Sequence, residues 1–375
     1  MKNPRILPAF CLFFLLVAGP GIADTTNKIR THQTLEAAVL NQNLPLEKRV
    51  KALKTLLSDE MTDGRLPRTF CIWDPIGKAG PIATAAKDQV LRSLHYGMQL
   101  TIDVYQNEQE MVDAFVSKEA CDAILVRGAT AQRFNRFLAT TEAPGALPDR
   151  QHLQLLAQVL AKPEIAEHMT NTQYTALGLV TLGYSRLYAD SADKASLSSL
   201  DGKSVSVANT DTGFIRLVDT LRGRTRTGDM PATVQTFTND LTELMVAPDI
   251  SYLAMANGRT GSETRGLSMP LGQSTLQLIG HTDRFPPGLA QILREDFLFK
   301  FNSYARVLDK ELGNIPASFW INPSPADLTT LSESAQKVRL SLRSEGYYDP
   351  VMLRLARKIR CRFSPGDSEC TNPVE

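Results

Sequence analysis

The chain has 375 residues, of which 43% are hydrophobic, and it carries 41 Lys and Arg against 40 Asp and Glu. So balanced a charge excludes the strongly basic surface of a nucleic-acid-binding protein and the polybasic patch of a membrane-surface protein. The length exceeds what one ordinary hydrophobic core accommodates, so the chain is predicted to fold as two domains.

The first residues, 1–23, have the pattern of a secretory signal peptide. Lys2 and Arg5 precede the apolar residues 6–18, and the small residues that follow allow cleavage after about Ala23. An uncleaved membrane anchor is the alternative, although the apolar core is short for a bilayer span. Cys11 lies inside that core, so no lipid anchor is expected. The prediction is a soluble protein exported through the Sec pathway, with 39 basic and 40 acidic residues after cleavage.

Residues 24–66 are predicted to form an N-terminal helical segment. Apolar residues recur there at helical spacing, first around Leu35 and Val39 and then around Val50 and Leu53. The segment is interpreted as packing material, and no functional residue is assigned to it.

Residues 70–127 have the alternation of strands and helices that is typical of a ligand-binding α/β lobe. The first strand ends in Asp74 and enters a loop whose glycines, Gly77 and Gly80, permit close approach of the backbone to a ligand. The predicted elements are strands at residues 70–74, 100–105 and 122–126, and helices that begin at about Ile82 and after the capping residue Asn107.

Polar residues follow each of these strands. Ligands of open α/β sheets collect at the carboxyl ends of the strands, so Asp74, Gln106 and Arg127 are expected to border one crevice. Lys78, beside Gly77 in the first loop, is a candidate for contact with an anion. That loop lacks the spacing of a phosphate-binding loop, so nucleotide binding is not expected.

Cleavage of the signal peptide leaves four cysteines, for which three connectivities exist. Cys71 opens the first strand and Cys121 precedes the third; in a sheet of order 2-1-3 these strands are neighbours, so the two cysteines are predicted to pair. The bridge would stabilise the fold by about 4 kcal/mol, and a second bridge between Cys361 and Cys370 by about 2.5 kcal/mol. A metal site is the alternative, but the spacings match no zinc pattern and the histidines are scattered.

The second half of the chain has the same succession of elements without a close sequence repeat. A turn at residues 200–203 leads into a strand at 204–208, and the next residues, 209–213, would present polar groups to a crevice before a helix at 214–221. Further along this half, we expect a strand at 233–237, a helix capped by residues 238–240 and a strand beginning at 249–252. Helices at 286–362 are expected to pack back across both domains.

Between the two halves, the pattern predicts a loop at 134–148, a helix at 151–169 and a strand passing between domains at 174–188.

The candidate ligand-binding residues each have a structural alternative. Asp74, Asn209, Asp211 and Asn239 stand where capping or turn formation alone explains them. Asp211 and Asn239 are favoured, because they belong to successive loops of one lobe. The aromatic candidates, for which core packing is the alternative, are Trp73, Tyr184 and Tyr252.

Several segments resemble type II periplasmic solute-binding proteins, in particular the receptors of tripartite ATP-independent (TRAP) transporters. These are Ala-Pro-Gly-Ala-Leu at 143–147, Gly-Leu-Val-Thr-Leu-Gly-Tyr at 178–184 and Leu-Asp-Gly-Lys at 200–203. Residues 71–80, 118–122, 133–137 and 343–370 are similar, more closely still, to a group of predicted solute-binding proteins that are sometimes described as accessory components of efflux pumps.

The resemblance implies an α/β fold with two lobes, at residues 67–185 and 186–285, and a helical C-terminal region at 286–375. It departs from the TRAP receptors at Ser206, where those receptors carry an Arg that pairs with a substrate carboxylate. Arg127 or Arg133 would supply a cation from the other lobe. Each arginine has packing of its stem at the surface as the alternative.

The function that follows is a periplasmic receptor that closes two lobes over a small, polar, anionic solute and presents it to a membrane transporter. The alternatives are a partner protein of an envelope efflux complex and an unrecognised hydrolase. Enzymatic activity is not expected, because the Gly-x-Ser-x-Gly and His-Glu-x-x-His motifs are absent from the sequence. Neither cofactor nor metal is expected, and the protein is predicted to be a monomer.

Overall fold

The computed structural model describes residues 20–256 and 263–375. Residues 1–19 of the predicted signal peptide lie outside the described residues. By its internal contacts the chain divides into two units, Met1–Leu56 and Leu57–Glu375. The first unit contains helices α1 (Pro20–Leu40) and α2 (Leu46–Leu56), which pack together and confirm the two predicted helices. Arg49 Nε fixes their arrangement by donating a hydrogen bond of 2.7 Å to the carbonyl oxygen of Val39.

The second unit is built on one sheet, which within the described residues contains ten strands. Eight strands form the order β2-β1-β3-β9-β4-β7-β5-β6, and the short pair β8 and β10 attaches to β4. The strands are β1 (Leu66–Trp73), β2 (Met98–Tyr105), β3 (Ala123–Arg127), β4 (Tyr174–Ala189), β5 (Ser204–Ala208), β6 (Arg224–Gly228), β7 (Leu244–Pro248), β8 (Arg265–Leu267), β9 (Gly272–His281) and β10 (Trp320–Ile321).

The sheet has a parallel set of three strands at each end. β2-β1-β3 is the predicted order 2-1-3, and β6-β5-β7 repeats it in the second half of the chain. Between the two sets, β4 and β9 pair antiparallel with each other. β9 also pairs antiparallel with β3 of the first set, and β4 with β7 of the second. The two lobes are thus joined by long shared strands, as predicted for residues 174–188. The predicted lobe boundary after residue 185 falls within β4.

The helices of the second unit cover the sheet and connect its strands. α3 and α4 pack on the first lobe, and α9 and α10 on the second. The helices are α3 (Pro81–Ser93), α4 (Glu108–Val116), α5 (Gly128–Ala131), α6 (Arg136–Ala139), α7 (Arg150–Leu160), α8 (Ala166–Met169), α9 (Thr212–Thr220), α10 (Met230–Thr238), α11 (Ser251–Ala256), α12 (Pro287–Leu312), α13 (Pro325–Ser344), α14 (Pro350–Phe363) and α15 (Ser368–Thr371).

Both predicted disulfides are present. Cys71 bonds to Cys121, and Cys361 bonds to Cys370. The first bridge follows from the sheet, because β1 and β3 are parallel neighbours whose register pairs Phe70 with Ala123. It closes a loop with a sequence separation of 50 residues, for which the chain-entropy relation gives about 4 kcal/mol.

Three predictions in the second lobe are wrong. The predicted strand at 233–237 lies in α10, because Asp229 caps that helix by accepting from Ala232 N at 2.8 Å. The buried residues Met230, Thr233, Val234 and Phe237 form one helical face, so tertiary burial overrides the β-branched composition. The predicted strand at 249–252 precedes and enters α11, and β7 ends before it. The helix predicted to begin at residues 238–240 is not formed, because Asn239 is the C-terminal cap of α10.

Two predictions between the lobes are wrong in detail. The predicted loop at 134–148 contains the short helix α6 and a 3-10 turn. The predicted helix at 151–169 is α7, which ends before Pro163, and then a 3-10 turn and α8. Proline lacks the amide hydrogen that a continuous helix needs, so it starts the new turn instead.

The C-terminal helices contact elements of both lobes. α12 lies against β4 and α3, α13 against α9, and α14 against α6 and α7. Glu345 at the end of α13 pairs with Arg216 of the second lobe at 2.7 Å, while the carbonyl of Gly346 accepts from Arg136 of the first lobe at 2.8 Å. None of the helices in the described part of the chain is both long and apolar enough to cross a bilayer.

Candidate functional site

The crevice between the lobes is polar where the ends of β3 and β5 meet. Arg127, at the end of β3, extends to the loop that follows β5 and contacts Thr210 and Asp211 there. These contacts join the first lobe to the second. β3 and β5 belong to strand sets that run in opposite directions. Their carboxyl ends meet at the crevice, which explains why residues 83 and 84 positions apart in sequence become neighbours.

Arg127 is buried and is bonded on each of its guanidinium nitrogens. Nε and Nη2 each donate to Glu108 Oε2 at 3.0 Å, Nη2 also donates to Thr210 Oγ1 at 2.9 Å, and Nη1 reaches Asp211 Oδ1 at 3.5 Å. The guanidinium lies over the ring of Trp73, 5.7 Å from its centroid. Burial lowers the pKa of Arg127, but Glu108 and Asp211 raise it by more, so the net shift is upward and the group stays charged.

Glu142 is the second ionisable group of the crevice, and it is partly buried. Its Oε1 accepts hydrogen bonds from the backbone nitrogen of Thr275 at 2.5 Å and from Thr275 Oγ1 at 2.7 Å. Burial raises the pKa of Glu142 to about 8, and the charge of Asp211 adds to that effect. At neutral pH the side chain is therefore mostly a neutral carboxylic acid, which can donate a hydrogen bond.

Asp211 is buried, contacts Arg127 and lines the same cavity as Glu142. Burial raises its pKa, while the charge of Arg127 acts in the opposite direction. The cluster thus places Glu108, Asp211 and Glu142 around one guanidinium, which is an excess of acidic groups. Protonation of Glu142 reduces that excess.

A small cavity of about 20 Å³ adjoins the cluster. Glu142 and Asp211 line it together with Gln132 of the first lobe and Tyr347 and Tyr348 of the C-terminal region. At roughly 10–15 Å³ for each enclosed water, it has room for one or two water-sized groups.

The first turn of α9 requires glycine where it meets the C-terminal region. A Cβ atom on Gly213 would lie 2.0 Å from Tyr348 Oη. The tyrosine is buried, so its ring has little room to move away. This close approach fixes the loop after β5 against the C-terminal region.

Asp74 is placed at the carboxyl end of β1, as expected, but it serves as a cap. Its Oδ2 accepts from the backbone nitrogens of Ile82 and Ala83 at 3.0 Å each, and Oδ1 accepts from Ile76 at 2.9 Å. The protein's own carboxylate therefore occupies the anion-binding start of α3. The structure favours the capping alternative for this residue.

The loop that follows Asp74 contains the candidates Gly77 and Lys78. Gly77 adopts a left-handed conformation with φ of 86°, which explains glycine at this turn. Lys78 is exposed. Gln106, on the neighbouring strand end, reaches back to this loop and donates to the carbonyl of Pro75 at 3.4 Å.

The remaining polar candidates are Asn209, Asn239, Arg133 and Ser206. Asn209 is exposed beside Thr210, and Asn239 is exposed at the end of α10 that lies away from the crevice loop. Arg133 is exposed, with its guanidinium 5.1 Å from the ring centroid of its neighbour Phe134, which matches the alternative of surface packing. Ser206 is fully buried, and its hydroxyl donates to the carbonyl of Leu244.

Tyr184 belongs to a second cluster, centred on Arg186 of β4. Arg186 Nε donates to Asp249 Oδ1 at 2.6 Å, and its guanidinium lies 5.1 Å from the ring centroid of Tyr184 and 4.8 Å from that of Trp320. The hydroxyl of Tyr184 accepts from the backbone nitrogen of Arg150 at 3.1 Å. Tyr252 instead packs edge-on against Phe319, as a core aromatic residue does.

Glu108, Glu142, Thr210 and Thr275 were not predicted as site residues. Glu108 follows the capping residue Asn107, and Thr210 stands between two candidates, so their positions after strands were available signals. Glu142 and Thr275 gave none, because their contact joins residues 133 positions apart.

The sequence profile of the Solute-binding protein AdeT 1/2 family matches residues 83–375. The chain belongs to this family. The matched region includes the Arg127 cluster, the loop after β5 and the C-terminal helices, and it starts within α3. The resemblance to predicted solute-binding proteins is thereby confirmed.

Two curated relatives from Acinetobacter baumannii carry the family's name. The chain is 27% identical over 304 residues to Probable solute-binding protein AdeT1, covering 80% of this chain and 98% of the relative. It is 20% identical over 234 residues to Probable solute-binding protein AdeT2, covering 62% of this chain and 98% of the relative.

Solved structures of TRAP periplasmic solute-binding proteins share the fold of this AdeT 1/2 family member. A protein from Desulfovibrio salexigens, with bound orotic acid, has a TM-score of 0.65 at 12% identity, covering 79% of this chain and 99% of that one. A protein from Ralstonia eutropha H16, with bound (S)-2-acetolactate, has a TM-score of 0.63 at 12% identity, with the same coverage. The similarity confirms the predicted two-lobed α/β fold.

Proposed function

We propose that this protein is a periplasmic receptor that binds a small solute with a carboxylate group in the crevice between its lobes. The observation that carries the proposal is the bridge from Arg127 of the first lobe to Asp211 of the second, a buried pair of opposite charges with side chains only 4% and 7% exposed. Such a bridge couples the charge in the crevice to the closure of the lobes.

In the proposed mechanism, the carboxylate of the solute takes the position of Asp211 on the guanidinium. The contact between Arg127 Nη1 and Asp211 is the longest of that guanidinium's contacts, at 3.5 Å, so it is the easiest to replace. Glu108 holds the other side of the guanidinium in place. Protonated Glu142 would donate a hydrogen bond to the solute, since its Oε1 is already engaged by Thr275.

The bound ligands of structurally similar proteins support an acidic solute. TRAP solute-binding proteins with this fold contain orotic acid, acetolactate and β-D-galacturonate. Those proteins are 12% identical to this chain, so the similarity supports the class of ligand and not its identity.

The test compares acids with uncharged molecules of the same shape. Thermal melting and isothermal titration with orotate, succinate, malate and galacturonate, and with galactose as the neutral match of galacturonate, should identify an acid that raises the melting midpoint. Asp211→Asn should then bind that acid about tenfold more tightly, because it removes the competing carboxylate and keeps the side-chain shape. Asp219→Asn, an exposed change on α9, is the matched control.

Two outcomes would contradict the charge assignment. One is a natural solute that is neutral or cationic; the other is an Asp211→Asn variant that binds acids more weakly than the wild-type protein does. If no solute in a broad panel binds, the receptor function itself is contradicted.

A second candidate is a partner protein of an envelope efflux complex. The small size of the crevice cavity, about 20 Å³, favours this function, because its own side chains fill the space that a solute would take. In-cell cross-linking followed by purification distinguishes the two: a stable complex with an efflux component, retained when Arg127 is replaced by Ala, would support the partner function.

We also place the protein in the periplasm, where it would present its solute to a membrane transporter. The residues before position 24 have the pattern of a signal peptide, and the structurally similar proteins are periplasmic. Cell fractionation with mass spectrometry of the N-terminus should find a periplasmic protein that begins near Asp24. Recovery in the cytoplasmic fraction alone would overturn this placement.

A further inference from the structure

An apolar cavity lies in the first lobe, where α3 and α12 cover the sheet. It has a volume of about 80 Å³, and its walls come from β1, β2, β3, β4 and β9, from the two helices, and from Ile250 of the second lobe. The cavity shares no lining residue with the crevice cavity beside the Arg127 cluster. It is therefore a separate site.

The space exists because α3 presents small residues to the sheet. Ile82, Ala85, Ala86 and Gln89 all line the cavity, at the i, i+3, i+4 and i+7 spacing of one helical face. Two alanines at the centre of that face leave room where larger residues would pack against Ile72 of β1.

Gln89 is the polar group of this face, and its side-chain orientation is fixed. Its Oε1 accepts hydrogen bonds from Arg92 Nη2 and from Tyr304 Oη, the latter at 3.2 Å. Arg92 is in turn held by Asp296 at 2.5 Å. Two donors on one oxygen define which atom of the amide is oxygen and which is nitrogen.

The amide nitrogen of Gln89 is therefore a donor at the wall of an apolar cavity. The residue is 4% exposed, and Nε2 has no hydrogen-bond partner among the described residues. A buried donor without an acceptor costs free energy comparable to a lost hydrogen bond, and a ligand that supplied an acceptor to Nε2 would remove that cost.

The volume of the cavity sets the size of the part of a ligand that it can hold. At roughly 10–15 Å³ for each enclosed water-sized group, 80 Å³ corresponds to about six such groups. A single six-membered ring with one small substituent matches this space. A longer or more polar molecule would leave its polar groups unpaired against the apolar walls.

We propose that this cavity binds a compact apolar ligand, a single aromatic or alicyclic ring that carries one hydrogen-bond acceptor for Gln89 Nε2. The site goes beyond the carboxylate-binding crevice and does not depend on it. Apolar contact with Ile72, Ile82 and Ile102 holds the ring, and the amide selects for the acceptor.

The experiment uses two probes of the same shape, cyclohexanone and methylenecyclohexane, which differ by a carbonyl oxygen. NMR titration of the protein labelled on its isoleucine methyl groups should show shifts at Ile72, Ile82, Ile102 and Ile250 and none at the distant Ile359. Cyclohexanone should bind more tightly, by about three- to tenfold, the range expected for one neutral hydrogen bond.

Three variants and one control variant locate the ligand and its acceptor. Ala86→Leu fills the cavity and should abolish binding of both probes, whereas Ala326→Leu on the exposed start of α13 should leave both unchanged. Gln89→Glu keeps the oxygen that Arg92 and Tyr304 contact but removes the donor, so it should erase the preference for cyclohexanone. Gln89→Met repeats that test without adding a charge.

Each result has a defined consequence. Absence of methyl shifts with both probes in the wild-type protein would overturn the proposal, as would unchanged binding to a folded Ala86→Leu variant. An equal loss of both probes in folded Gln89→Glu and Gln89→Met would overturn the role of Gln89 in selecting an acceptor.

Discussion

Replacing Glu142 by Gln should remove a pH dependence of stability that the partly buried acid creates. The pKa of Glu142 is raised from 4.5 to about 8 by burial. Between these values the folded protein keeps the proton, whereas the unfolded chain releases it. A rise in pH therefore favours unfolding, and the contribution of this group to stability is lost as pH rises through that window.

The magnitude follows from the size of the shift. One pKa unit corresponds to 1.36 kcal/mol, so a shift from 4.5 to about 8 gives roughly 5 kcal/mol over the whole window. Between pH 5 and pH 7 the wild-type protein should lose roughly 2 to 3 kcal/mol relative to Glu142→Gln. Glutamine keeps an oxygen for the two hydrogen bonds from Thr275, so the variant should fold.

Urea unfolding followed by tryptophan fluorescence at pH 5, 6, 7 and 8 measures this difference. The free energy of unfolding of Glu142→Gln minus that of the wild-type protein should rise by about 1 kcal/mol for each pH unit across this range. Glu333→Gln, an exposed change on α13, should show no such trend. A flat difference for Glu142→Gln would refute the reasoning, because it would mean that Glu142 is ionised in the folded protein.

Three further changes probe the frame around the crevice. Replacing Cys71 and Cys121 together by Ser should lower the free energy of unfolding by about 4 kcal/mol in non-reducing urea titrations; a loss below 1 kcal/mol would contradict the loop-closure estimate. Gly213→Ala should cost about 1–3 kcal/mol through its clash with Tyr348, and Tyr348→Phe in the same chain should recover part of that cost, which a double-mutant cycle measures. Asp74→Ala leaves three backbone amides without their acceptor and should cost about 1–3 kcal/mol in thermal or urea unfolding; a neutral result would show that solvent replaces the cap.

The sequence by itself determined the frame of the protein. Apolar runs such as residues 70–73 and 123–126 are buried strands, and Asn107 caps α4 as its position predicts. The order of the first three strands, and with it the pairing of Cys71 and Cys121, follows from short-range patterns and the topology rules of α/β sheets. These features depend on neighbours in sequence, which a single chain displays directly.

Only the tertiary structure decided the second lobe in detail. β6, with residues Arg224–Gly228, is an edge strand of mostly exposed polar residues and has no apolar alternation to reveal it. Residues 233–237 have strand composition but lie in α10, because burial of one helical face outweighs local propensity. The physical reason is burial for α10 and backbone pairing with β5 for β6.

The candidate site shows the same division between sequence and structure. Arg127 and Asp211 could be proposed from their places after strands, and the structure brings them together. Whether a polar residue serves a ligand or a cap depends on which donors reach it, and Asp74 proved to be engaged by the start of α3. The neutral state of Glu142 follows from burial and from Thr275, 133 positions away, since the charge of a carboxyl group is set by what surrounds it in space and not along the chain.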